Sequence, residues 1–155
     1  MFNDTDGGSD MGSGIAGWGY EGRTVADLVE FTRAMGAEWV VDVRLNPLSR
    51  KPGFSKRALA ATLAEHGLQY LHLPELGNPK DNRAGFADVE GVAGDVARER
   101  YRTEVLATDL AAAALDRLTE LGARDGAVLL CFEADTGQCH RAEVQRALLQ
   151  ANATV

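Results

Sequence analysis

Val128-Leu129-Leu130-Cys131-Phe132-Glu133-Ala134-Asp135-Thr136-Gly137-Gln138-Cys139-His140-Arg141 decides how this chain is read. The apolar run at 127–132 has the length and content of a buried strand. A polar loop follows at once. Cys139, His140 and Arg141 then stand where a helical pattern starts, running to about residue 151. A thiol, an imidazole, a guanidinium and two carboxylates (Glu133 and Asp135) therefore share one strand-to-helix turn. A helix start has free backbone N–H groups and the positive end of the helix dipole. It attracts anions and favours a thiolate over a thiol.

The same alternation of strand and helix extends back through the chain. Residues 15–18 form a short strand candidate. Thr24 is placed to cap a helix over 25–35, where Val25, Leu28, Val29 and Met35 recur at helical spacing and Gly36 ends the pattern. A β-rich strand is expected at 39–43, and a loop with two prolines at 46–54. Ser55 is expected to cap a helix ending near His66, with Gly67 after it. A third strand fits 69–73 and a long loop 74–85. Helical patterns cover 86–106 and 108–121, weakened early by Gly91 and Gly94. The reading is a single α/β domain over 15–152 behind a polar, Gly-rich tail at 1–14, with Met11 as an alternative start. Its sheet is mainly parallel, of four to five strands flanked by helices, a Rossmann-like three-layer sandwich with the first strand central. In such sheets ligands bind beyond the carboxyl ends of the strands. Four loops occupy that rim, at 18–23, 44–54, 74–85 and 132–138.

Composition bounds the function. The chain has 155 residues, 45% hydrophobic and 25% charged, with a net charge of −7. That charge disfavours broad nucleic-acid binding, although a local anion pocket is compatible with it. Two cysteines make no disulfide framework and suit a reducing, cytoplasmic setting. No apolar run approaches the roughly 20 residues of a membrane span, and no secretory leader is recognisable.

The rim loops hold the residues with chemistry. In Asp42-Val43-Arg44, alternation sends Asp42 and Arg44 to one face. A buried carboxylate needs partners, so Asp42 either pairs with an arginine to pin the loop or contacts a ligand. No acid occurs from Val43 to Leu63, while Arg44, Arg50, Lys51, Lys56 and Arg57 do. This basic block suits an anion, and equally an ordinary solvated surface. Trp18-Gly19-Tyr20-Glu21-Gly22-Arg23 follows the first strand. Gly19 and Gly22 allow a tight turn and close approach, with Tyr20 facing a pocket or packed beneath it. The loop is neither a dinucleotide fingerprint nor a P-loop.

Cys131 ends a strand, where a free cysteine usually behaves as a small hydrophobe. Cys139 leaves three readings open: a nucleophile, a metal ligand with Cys131, Glu133 and His140, or a structural residue beside anion-binding His140 and Arg141. The spacing Cys-x7-Cys-His matches no common zinc pattern, so no metal and no cofactor are expected. The Cys-x5-Arg loop of phosphatases and sulfurtransferases is also missing, since Gly137 occupies the arginine position.

Together these segments resemble the family called domain of unknown function 488. The resemblance rests on Gly19-Tyr20-Glu21-Gly22; on Asp42-Val43-Arg44 with Pro47 and Ser49; on Lys51-Pro52-Gly53-Phe54-Ser55; on Leu73-Pro74-Glu75-Leu76-Gly77; and on Leu130-Cys131-Phe132-Glu133 followed by Cys139-His140-Arg141. Three positions depart from it. Asn78 stands where a second glycine is frequent, Asp135-Thr136-Gly137 replaces a turn that usually carries proline, and Trp18 replaces a smaller residue. The resemblance implies a compact α/β domain and brings no established activity.

Two function classes follow. The first is an enzyme, a hydrolase or transferase, acting on an anionic small molecule or nucleotide. Tyr20, Arg44 and Arg141 would bind the anion, Gly19, Gly22 and Asp42 would support the pocket, and Glu75, Glu133, Cys139 and His140 are the candidate catalytic groups. The second is a non-catalytic module that binds nucleic acid or another partner through the basic 44–57 segment. A deep pocket with convergent acids favours the first, and a flat basic ridge the second. Oligomeric state is not readable from the sequence.

Overall fold

The structure, a computed structural model, describes residues 14–134 and 139–153. The expected N-terminal tail up to residue 13 and the loop residues Asp135, Thr136, Gly137 and Gln138 lie outside the described residues. Four strands, β1 (Ile15–Gly19), β2 (Trp39–Asp42), β3 (Gln69–His72) and β4 (Ala127–Cys131), form one sheet. Every pairing is parallel, and the spatial order is β1-β4-β2-β3. Helices α1 (Val25–Ala34) and α2 (Lys56–Glu65) precede β2 and β3. A long crossover then carries α3 (Arg83–Phe86), α4 (Val92–Tyr101) and α5 (Asp109–Arg124) before β4, and α6 (Arg141–Ala153) follows it.

The α/β class and the three layers agree with the sequence reading. The place of the first strand does not: β1 is an edge strand, and β4 enters between β1 and β2. Side-chain volume explains this. β4 offers Val128 and Leu130 to one face and Leu129 to the other, and all are fully buried. β1 offers Trp18 to one face but only Gly17 and Gly19 beyond Ile15 to the other. The strand with bulk on both faces takes the interior position.

The two cores lie on opposite faces of the sheet. Leu28, Val29 and Phe31 of α1 and Leu59 and Leu63 of α2 pack with Val40, Val128 and Leu130. On the other face Tyr101, Ala111, Leu118, Leu121, Val144 and Leu148 pack with Ile15, Val41 and Leu129. Each buried Leu contributes about 1.5–3 kcal/mol, so these two layers dominate the stability of the sandwich.

Local signals explain most boundaries. Thr24 caps α1 in a reciprocal box with Asp27. Gly36 and Gly67 follow α1 and α2 at φ of 71° and 76°, the left-handed conformation that ends helices. Ser55 precedes α2 but does not cap it with its side chain. Its hydroxyl instead donates to Ser49 O and accepts from Ser49 N, which closes the preceding loop. The expected continuous helix over 86–106 is broken. α3 is one turn, Gly91 starts α4 in extended conformation, and α4 runs into a π-type turn at Arg102–Leu106. The expected 74–85 loop contains two 3-10 turns, Pro74–Leu76 and Lys80–Asn82, and the start of α3. No described helix is long and apolar enough to cross a membrane.

The end of β1 lies against the loop after β4. Tyr20 N donates to Cys131 O and Glu21 N to Phe132 O, while Ala134 N donates to the Glu21 carboxylate. A Cβ on Gly19 would lie 1.7 Å from Glu133 O. A Cβ on Gly22 would meet nothing, although its φ of 73° is costly for other residues. Gly19→Ala is therefore expected to lose at least about 3 kcal/mol, the upper range for overpacking. Gly22→Ala should lose about 1–2 kcal/mol. Urea unfolding of the two variants checks the order.

Candidate functional site

The site starts from a carboxylate. Asp42, fully buried at the end of β2, receives two parallel bonds from Arg44: Nε to Oδ1 at 2.8 Å and Nη2 to Oδ2 at 2.7 Å. Arg44 N donates to Oδ1 at 3.1 Å, and Tyr70 Oη donates to Oδ2 at 2.6 Å. This is a fork-to-fork pair with its remaining acceptor capacity filled. Burial opposes the charge on Arg44, but Asp42 outweighs it and raises the guanidinium pKa further. Burial and the Asp42 charge likewise hold the Tyr70 hydroxyl protonated, far above the usual phenol range.

One nitrogen of Arg44 is left over. Nη1 is buried and has no hydrogen-bond partner among the described residues. The guanidinium carbon sits over the Tyr20 ring, 5.3 Å from its centroid. Tyr20 in turn stacks on Phe54 at 4.6 Å. Arg44 is thus held flat between an acid and an aromatic face, with only 6% of its surface exposed.

Across from it lies the start of α6. His140 Nε2 donates to Val43 O at 2.8 Å, the tautomer an acceptor carbonyl requires. That leaves Nδ1 facing two sulfurs, Cys139 Sγ at 3.6 Å and Cys131 Sγ at 3.8 Å. Glu133 Oε1 lies 3.6 Å from Cys131 Sγ. Tyr101 meets the imidazole edge-on, with ring centroids 5.3 Å apart. Burial by itself would push the Cys139 thiol up. The hydrogen bond from Cys131 and the positive field of His140 and Arg141 outweigh it, and hold Cys139 well below the usual thiol range. Cys131 moves the other way, pushed well up by its bond to Cys139 and by burial. Burial disfavours a charged His140, but the Cys139 thiolate outweighs burial and raises its pKa. Glu133 is raised chiefly by burial, with the Cys139 charge adding to it.

Both groups open into one cavity of about 160 Å³. Tyr20, Arg44, Cys131, Glu133, Cys139 and His140 line it, with Asn78, Arg83 and Phe86 from the long crossover and Leu45, Leu48 and Phe132 at its mouth.

The sequence profile of the family described as "Domain of unknown function DUF488" matches residues 24–148. The chain belongs to this family. No curated protein and no solved structure matches it.

Of the ten candidate site residues named from the sequence of this DUF488 chain, five share the cavity wall: Tyr20, Arg44, Glu133, Cys139 and His140. Asp42 sits behind Arg44 as its anchor. Arg141 is fully buried and lies outside the lining, where its Nη2 donates to Glu133 O at 2.5 Å. Its Nε and Nη1 have no partner among the described residues. Glu75 lies in the 3-10 turn after β3 and is not part of the lining. Among the described residues, Glu133 is the acid in the cavity lining. Gly19 sets the close approach of β1 to the Glu133 backbone, and Gly22 turns the loop beyond it.

Sequence reasoning missed Asn78, Arg83 and Phe86. Asn78 and Arg83 stand in the expected 74–85 rim loop and Phe86 at the start of the expected 86–106 helix, and only the fold of the crossover brings their side chains to the cavity. Asn82 is the organising residue there: buried, it donates from Nδ2 to Asn78 Oδ1 and to Ala97 O, both at 3.0 Å. Of the basic block, Arg44 is buried in its pair, while Arg50, Lys56 and Arg57 are exposed.

Removing one partner of a buried pair leaves the other uncompensated. Asp42→Asn is expected to cost about 3–5 kcal/mol. Tyr70→Phe should cost about 1–3 kcal/mol, since it strips one bond from a buried acceptor. Denaturant titration of both variants tests the ranking.

Proposed function

We propose that this protein is an enzyme, a hydrolase or transferase, that acts on a small anionic molecule held in the cavity at the carboxyl ends of β1, β2 and β4. The observation that carries this reading is Arg44, which lines the same cavity as the Cys131–Cys139–His140 cluster and whose buried Nη1 has no partner among the described residues. Leaving such a group unpaired is costly. A bound oxyanion removes that cost and meets a donor already fixed by Asp42 and Tyr20. Arg83, exposed at the mouth, adds a second positive charge, and Asn78 a polar contact. Arg141 contributes its charge from beneath the loop rather than by contact.

The mouth suggests the rest of the substrate. Leu45, Leu48 and Phe132 are exposed apolar side chains around the opening. They suit an anion attached to an apolar or aromatic body, as in a nucleotide, whose charged end enters while the body stays at the rim. Among the described residues Glu133 is the one acid on the wall, and its raised pKa fits a group that exchanges a proton during the reaction. The thiol and imidazole cluster is the reactive part of the wall.

Inorganic phosphate should raise the melting temperature with a dissociation constant of about millimolar or tighter. Arg83→Ala should weaken phosphate binding about tenfold, the loss of one charge-assisted bond, and leave the melting temperature of the free protein unchanged. Thermal shift and isothermal titration read both effects. Absence of any phosphate response in the parent protein overturns the anion site.

A further inference from the structure

The cluster at the start of α6 has a geometry the anion reading does not use. Cys131 Sγ, Cys139 Sγ and His140 Nδ1 all lie within 4.8 Å of one another. A tetrahedral zinc ion with bonds of about 2.3 Å to sulfur and 2.0–2.1 Å to nitrogen sets sulfur–nitrogen edges of about 3.6 Å. The two observed edges are 3.6 and 3.8 Å. Two edges of one tetrahedral face thus match, and the third, between the sulfurs, is within 4.8 Å.

The imidazole is oriented as a ligand. Its Nε2–H is spent on Val43 O, which fixes the ring and leaves the Nδ1 lone pair facing the sulfurs. A metal-bound histidine nearly always has such an outer partner. All three residues are buried, yet all three belong to the cavity wall. The fourth corner therefore opens into the cavity, and Glu133 Oε1 stands beside it, 3.6 Å from Cys131 Sγ. Three protein ligands and one open position is the pattern of catalytic zinc, whereas structural sites are closed by four.

We propose that Cys131, Cys139 and His140 bind one zinc ion, with the fourth coordination position open to the cavity. Binding displaces two protons to solvent, the one on Cys131 and the one shared between Cys139 and His140 Nδ1, and then uses both sulfurs and the Nδ1 lone pair. The two cysteines are then ligands rather than attacking groups. The open position holds a water or a substrate oxygen next to Glu133, facing the same cavity as Arg44. Two sulfurs and one nitrogen suit zinc over magnesium or calcium, which prefer oxygen. The spacing in sequence matches no common zinc pattern because Cys131 and Cys139 belong to different elements, the end of a strand and the turn before a helix. The inference goes beyond the anion reading and does not depend on it.

The test uses the full chain, reduced and stripped of metal without oxygen. Cobalt(II) is the probe, followed by zinc in competition with a chromophoric chelator. One cobalt per chain is expected, with a thiolate-to-cobalt charge-transfer band and the visible absorption of tetrahedral cobalt. Zinc should displace it. Cys131→Ser and Cys139→Ser should each lose a large part of the charge-transfer intensity. They and His140→Ala should weaken zinc binding by more than the roughly 10- to 100-fold that losing an outer partner costs. Circular dichroism of the variants checks their folding. A reduced parent protein without the charge-transfer band overturns the proposal even if the variants do not fold. So does zinc binding that is unchanged in folded variants. Phosphate titration of the metal-free parent and of Arg83→Ala, run alongside, reads the anion site separately, so either idea can fail alone.

Discussion

The buried pair between Asp42 and Arg44 is the constraint on which the rest of the site depends. A carboxylate at the end of an interior strand has to be neutralised in place. Arg44 does so with two parallel bonds, and Tyr70 fills the remaining acceptor. The pair fixes the guanidinium over Tyr20 and leaves one nitrogen without a partner among the described residues. A residue that stabilises the fold in this way also brings a rigid positive group to the cavity. Structure and chemistry are not separable at this position.

A second link closes the site from the other side. The Val43 carbonyl, next to that pair, accepts from His140. The exit of β2 is thereby tied to the start of α6 across 97 residues of chain. This single bond sets which imidazole nitrogen meets the cysteines. The parallel pairing of β2 with β4 makes it geometrically available, because Val43 N also donates to Leu130 O. Insertion of β4 between β1 and β2 is what brings three strand ends, and so Tyr20, Arg44 and Cys131, around one opening. Had β1 been central, as its position in the sequence suggests, the Cys131 end would have stood farther from Arg44.

The long crossover has a different role. It carries no strand among the described residues, and its first two helices, α3 and α4, are short and interrupted before the 16-residue α5. Its inner face is nevertheless buried: Phe86, Ala97 and Tyr101 pack on the sheet, and Tyr101 Oη donates to Leu76 O at 2.6 Å. Asn82 holds Asn78 to α4. The segment is thus a packed wall for the cavity, supplying Asn78, Arg83 and Phe86 to a site whose other residues come from the strand ends, the loops after them and the start of α6.

What the sequence determined by itself is local. Hydrophobic period separated the strands from the helices, because side chains alternate every second residue in one and near every third or fourth in the other. Glycines and the Thr24 cap marked helix ends, because their backbone conformations and capping bonds depend on near neighbours only. The strand-to-helix turn at Cys131 to Arg141 was legible as a candidate site for the same reason, and so was the shared face of Asp42 and Arg44. Strand order, the breaks in the crossover, and the distance from Arg141 to the cavity were not legible. They depend on which apolar surfaces meet and how much volume each strand offers, and these are sums over residues far apart in the chain. The approach of Cys131, Cys139 and His140 to within 4.8 Å is of the same kind. Their spacing matches no ligand motif, and only parallel packing of β4 beside β2, with α6 folded back on the sheet, makes them neighbours.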